Sequence, residues 1–155
     1  MSTALFVLVL VAAVPHLILG GSAVDRLLVQ LPARHRIGPV AYAHYARATD
    51  MANGYFLYPL LGISGPIFTW AALAVALLTG AGSRVWIPLA VASALCVLHS
   101  LTTTQAAPTM WRVGRSEDRP ELIAPLLDRF TRWSWVRGIL QILTAATLLW
   151  VLIAG

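Results

Sequence analysis

Apolar residues fill four long runs of this chain, near residues 4–24, 55–78, 86–107 and 135–153, and charged residues are almost confined to the stretches between them. At about 1.5 Å of rise per helical residue, each run can cross the roughly 30 Å hydrocarbon core of a bilayer. Backbone polar groups in lipid must bond internally, so runs of this length are helices. The pattern therefore predicts an all-α fold: one integral membrane domain over residues 1–155, built as a four-helix bundle. No basic residue precedes the first run, and its length is that of a full span, so it is read as retained rather than cleaved.

The two long connections carry a pattern of their own. Pro39 suits the first position of a helix, from which Val40, Ala43, Ala46 and Met51 alternate with His44, Arg47 and Asp50. In the second connection Ser116 is a candidate cap before Pro120. Leu122, Ile123, Leu126, Leu127 and Phe130 then recur at helical spacing opposite Asp128, Arg129 and Arg132. Each connection is expected to hold a cytoplasmic interfacial helix on the inner leaflet. His16, Pro39 and Arg47 are spaced by 23 and 31 residues, and His99, Pro120 and Arg129 by 21 and 30, which points to a parallel internal repeat.

Charge supplies orientation. All 11 basic residues are arginines. Arg26, Arg34, Arg36 and Arg47 lie in the first long connection, and Arg112, Arg115, Arg119, Arg129, Arg132 and Arg137 in or beside the second; Arg84 alone lies in the short one. The positive-inside rule then makes both long connections cytoplasmic and both termini external, in what is expected to be a bacterial plasma membrane. Hydrophobic residues make up 59% of the chain and charged residues 11%, with a mean hydropathy of +0.77, outside the soluble globular range. The net charge of +5 thus points to anionic lipid headgroups as partner and not to nucleic acid. A single cysteine, Cys96, excludes an intramolecular disulfide or a cysteine-based metal site within one chain.

The candidate chemistry sits inside the spans. His16 and His99 are lone imidazoles in apolar runs, and an ionisable group at such depth is a functional candidate. Two imidazoles at similar depth could ligate haem iron or another transition metal, act as general acid and base, or serve as hydrogen-bonded core residues. Asp50, the nearest carboxylate, is expected near the interface, where it could pair with Arg47. Thr103 follows His99 at i+4, and Gln141 follows Arg137 at i+4. Arg47, Asp50, Asn53 and Tyr58 form a further polar patch at the entry to the second span.

Leu31-Pro32-Ala33-Arg34, Tyr45-Ala46-Arg47-Ala48, Asn53-Gly54, Ala107-Pro108-Thr109 and Asp128-Arg129-Phe130-Thr131-Arg132-Trp133 together resemble the anthrone oxygenase-like family of small four-span membrane proteins. That resemblance implies an oxygenase that converts polyketide anthrones to anthraquinones, with no established cofactor. His16 ahead of Gly20-Gly21 bears a weaker similarity to four-span haem-binding protoporphyrinogen oxidases and copper-resistance membrane proteins.

The expected activity is accordingly that of a membrane oxidoreductase acting on a hydrophobic, aromatic substrate. His16 and His99 are assigned as proton-transfer groups or metal ligands, Arg47 and Arg137 as contacts to an anionic or phenolate oxygen, and Asn53, Tyr58, Thr103 and Gln141 as orienting groups. A haem- or metal-binding redox protein, and a non-enzymatic accessory subunit of a membrane complex, are the alternatives. Self-association or a membrane partner protein fits the small residues on the spans.

Overall fold

A computed structural model describes all 155 residues, and the chain is helical almost throughout, without strands. Helix α1 (Thr3–Asp25) runs through a π-turn at Arg26–Gln30 into α2 (Leu31–Ile37). Gly38, at φ +86°, ends this rod in a backbone region that side chains disfavour, and Pro39 starts the next. Helix α3 (Pro39–Ala48) passes through a second π-turn, Thr49–Asn53, into α4 (Gly54–Leu78). Helices α5 (Ser83–Arg115) and α6 (Pro120–Ala154) form the second hairpin. The order helix, break, proline, helix thus occurs twice, at Gly38-Pro39 and at Arg119-Pro120.

Four continuous helical stretches, Thr3–Ile37, Pro39–Leu78, Ser83–Arg115 and Pro120–Ala154, are long and apolar enough to cross a membrane. They pack as a bundle whose outer surface is itself apolar, with Phe6, Leu10, Phe56, Leu60, Leu101 and Ile139 exposed. Apolar surface on that scale needs a nonpolar surrounding and is consistent with an integral membrane protein.

Two expectations about the second connection are corrected. No separate helix precedes the fourth span, because Pro120–Ala154 is one helix. Neither glycine nor proline occurs from Leu126 through Arg137 to interrupt it. Ser116 caps the end of α5 rather than the start of the next helix, its hydroxyl donating to the Arg112 carbonyl at 2.7 Å.

Two apolar clusters hold the bundle together. One joins Leu5, Val9, Leu89, Leu148 and Val151 around Ala12, Ala13, Ala72, Ala76 and Ala92, small residues that let the backbones approach closely. The other, at the arginine-rich end, joins Leu27, Leu31 and Tyr42 to Met110, Ile123, Leu127 and Phe130. On every long helix the residues between these clusters include polar ones: His16 on α1, Thr69 on α4, Cys96 and His99 on α5, Gln141 and Thr144 on α6. The site is built in this intervening layer.

Candidate functional site

His16 and His99 part company in the folded chain. His16 is 2% exposed and bonded on both ring nitrogens. Thr69 gives its hydroxyl hydrogen to the Gly65 carbonyl at 2.8 Å, so at 3.2 Å the His16 Nε2–H donates to Thr69 Oγ1. Nδ1 is then the acceptor, and Gln141 Nε2 donates to it at 2.8 Å. The Cys96 sulfur lies 3.6 Å from Nε2, so the ring ties α1 to α4, α5 and α6 at once. The ring has room because Gly65 lacks a side chain: a Cβ there would stand 3.0 Å from Cε1 and Nε2.

Beside this layer lies a cavity of about 450 Å³, the size of a small-molecule site, between α1, α4, α5 and α6. Each helix contributes one face at helical spacing: Leu19, Ser22, Ala23 and Arg26; Tyr55, Tyr58, Pro59 and Gly62; His99, Thr103, Ala107 and Met110; Phe130, Arg137 and Gln141. Most of the wall is apolar, and its few polar groups converge from four helices.

Their hydrogen bonding is uneven. Arg26 Nη2 donates to Asp50 Oδ1 at 2.6 Å and to the Tyr58 hydroxyl at 3.3 Å, and its guanidinium carbon lies 5.3 Å from the Tyr58 ring centre. Arg137 makes no hydrogen bond or ion pair within the protein: no carboxylate oxygen lies within 4.0 Å of it, and the five ion pairs of the chain all belong to other groups. Neither ring nitrogen of His99 has a partner, and Nδ1 is sealed from solvent, as is the unpartnered Gln141 Oε1. The His99 carbonyl accepts from Thr102 and Thr103 at 2.8 and 3.0 Å, which stiffens the helix under the imidazole. Buried polar atoms without partners are costly, and of the four such side-chain atoms in the chain two, His99 Nδ1 and Gln141 Oε1, belong to residues of the cavity wall, the others being the Ser93 and Ser134 hydroxyls.

Several sequence-based assignments move. Arg47 lies outside the cavity and does not pair with Asp50. It spans the end of α5, donating from Nε to Gly114 O at 3.0 Å, from Nη2 to Ser116 O at 2.9 Å and from Nη1 to Asp118 Oδ1 at 2.8 Å. With the Arg34–Asp128 pair at 2.7 Å, it fastens the two long connections to each other. The Arg47 hydrogen bond holds the exposed Asp118 carboxyl below its usual range, helped by the charges of His44 and Arg47. Asn53 is exposed and has no side-chain bond. Tyr58, Thr103, Gln141, His99 and Arg137 do line the cavity.

Asp50 lies in the cavity wall, and its partner is not Arg47 but Arg26, which the charge pattern groups with the other connection arginines. The signal for Arg26 is its place on the Leu19, Ser22, Ala23 face of the first span. The donor set does not fit joint ligation of haem or metal by His16 and His99, since both His16 nitrogens are engaged by protein. No group of three or more His, Cys, Asp or Glu side chains gathers anywhere in the chain.

Fold and site define a four-helix bundle with an amphipathic cavity, largely apolar in its walls and lined by two arginines and one carboxylate among its polar groups. No family model, curated protein or solved structure matches this chain.

Proposed function

We propose that this chain is an integral membrane oxidoreductase of the oxygenase type, whose cavity takes an amphipathic aromatic molecule from the bilayer. Its arginine-rich end faces the cytoplasm, where both long connections meet headgroups. The observation that carries the reading is the joint presence, in one largely apolar cavity, of a guanidinium without a counter-ion and an imidazole without a hydrogen-bond partner. A charge in that setting is stabilised by an anion, and Arg137 receives the phenolic or enolic oxygen of the ligand. His99 stands on the same cavity as the proton acceptor. With an anthrone, removal of a ring-methylene proton by His99 delocalises an electron pair onto the oxygen held by Arg137. Dioxygen then accepts the electrons, and loss of water gives the quinone, with one O2 consumed and one H2O released per anthrone.

The test is oxygen uptake and quinone absorbance with a hydroxyanthrone supplied to the protein in neutral-lipid nanodiscs. Uptake of one O2 per quinone is expected, with a general-base loss of about 10²-fold or more in His99→Gln. A rate no higher than in empty nanodiscs overturns the proposal.

A further inference from the structure

The cavity wall holds two guanidiniums but one carboxylate. Arg26 and Asp50 are joined at 2.6 Å, with their side chains 10% and 14% exposed, and the Tyr58 hydroxyl adds a second anchor on the same Arg26 nitrogen. Each partner sits in a π-turn, Arg26 in the first and Asp50 in the second. A π-turn inserts one residue into the helix and re-aims the side chains around it, a device concentrated at functional sites. Arg137 is left with the uncompensated charge.

We propose that Asp50 is the specificity-determining residue of this cavity: by occupying Arg26 it leaves a single free cation, so the site selects ligands with one negative charge and rejects dianions. This rests on the reading of the cavity as an anion-binding ligand site, and it adds which anions enter. A carboxylate or phenolate satisfies Arg137 alone. A phosphate monoester carries a second charge that only Arg26 could meet, and Asp50 holds that arginine and repels the ligand. Selectivity of this kind comes from a repulsive element as much as from an attractive one.

The experiment compares 2-naphthoate with 2-naphthyl phosphate by titration calorimetry, on protein in neutral phosphocholine nanodiscs, well above the second phosphate pKa of about 6. Wild type is expected to bind the carboxylate more tightly. Asp50→Asn frees Arg26 and shifts the preference toward the phosphate by about tenfold or more, the lower end of what close charge pairs contribute. Arg26→Gln acts in the opposite sense: it releases Asp50 toward Arg137 and weakens naphthoate binding by a similar factor. The double variant R26Q/D50N leaves Arg137 alone and returns the wild-type preference, so the test survives if either single variant fails to fold. An unchanged preference in Asp50→Asn, or a wild-type preference for the phosphate, overturns the proposal. The underlying reading is judged separately: naphthoate affinity unaffected by Arg137→Gln, or no binding of either probe by wild type, refutes the ligand site itself.

Discussion

Gly65→Ala probes the packing of His16 with a single methyl group. The added Cβ stands 3.0 Å from two atoms of the ring and 3.4 Å from a third, whereas carbon atoms rest at about 3.5–4.0 Å, so the ring must retreat by about half an ångström. It cannot do so freely. Gln141 holds Nδ1 at 2.8 Å and Thr69 holds Nε2 at 3.2 Å, and a shift of that size carries the Thr69 bond out of range. Overpacking costs about 1–3 kcal/mol, and an interhelical hydrogen bond in lipid about 0.6–1.7 kcal/mol. Alanine regains about 1 kcal/mol over glycine inside a helix, leaving a net loss of about 0.6–3.7 kcal/mol. In a His16→Ala background the clash is absent, and the same substitution should stabilise by up to about 1 kcal/mol. The double-mutant cycle, read by reversible SDS unfolding in mixed micelles with far-UV circular dichroism, isolates the coupling. If Gly65→Ala carries the same cost in both backgrounds, the ring is not what fills the space beside Gly65.

Arg47→Gln is expected to cost about 1–3 kcal/mol from its two bonds to the carbonyls of Gly114 and Ser116, while naphthoate affinity stays at the wild-type value. Lost affinity in a normally stable variant would return Arg47 to the site. Because Asp118 titrates below the usual carboxylate range when folded, its contribution is present above about pH 4 and fades as the pH falls through the lower folded value. The Arg47→Gln protein should therefore show a flatter acid limb in a stability–pH series, and an acid limb as steep as the wild type's would refute the pairing. Gly38→Ala places a side chain at φ +86° and is expected to lower stability by about 1–3 kcal/mol in the same unfolding assay, and a neutral result would mean that the break between the first two rods sits elsewhere.

The four long apolar helices and the helix start at Pro39 were legible because length, hydropathy and the 3.6-residue period report them directly, and His99, Tyr58, Thr103, Arg137 and Gln141 stood out as polar groups in or at the ends of apolar runs. The partners of Arg47 and Asp50 were not. At i+3 on an uninterrupted α-helix these two side chains face each other, but Asp50 lies in a π-turn. One extra residue in the helix rotates the side chains beyond it by about 100°, one 3.6-residue step. Asp50 consequently turns inward to Arg26, and Arg47 is left for the end of α5. Periodicity carries no warning of such an insertion, and both partners come from distant segments: Arg26 lies 24 residues away from Asp50, and Asp118 lies 71 away from Arg47. The break between α5 and α6 is hard to place for a simpler reason, since Ser116 serves either end of a helix and only Arg119-Pro120 fixes where the next begins.

The equivalence of the two histidines in the sequence dissolves when their bonds are counted. His16 has given every polar atom to the protein and links four helices; a ligand could recruit it only by breaking that layer. The His99 ring, three residues past Cys96 on α5, has given neither nitrogen, and the Arg137 guanidinium beside the same cavity makes no bond either. A buried guanidinium without a directly bonded acid is costly, and Arg137 has no such acid. Arg34, Arg26 and Arg47 show the alternative, each bound to a carboxylate that crosses between segments. Arg137 has a carboxylate within reach of its own cavity, but Asp50 is held by Arg26 instead. Two arginines face one acid, and with the acid fixed on the one that also touches Tyr58, Arg137 and His99 are the pair on this cavity whose side chains have no hydrogen-bond partner within the chain.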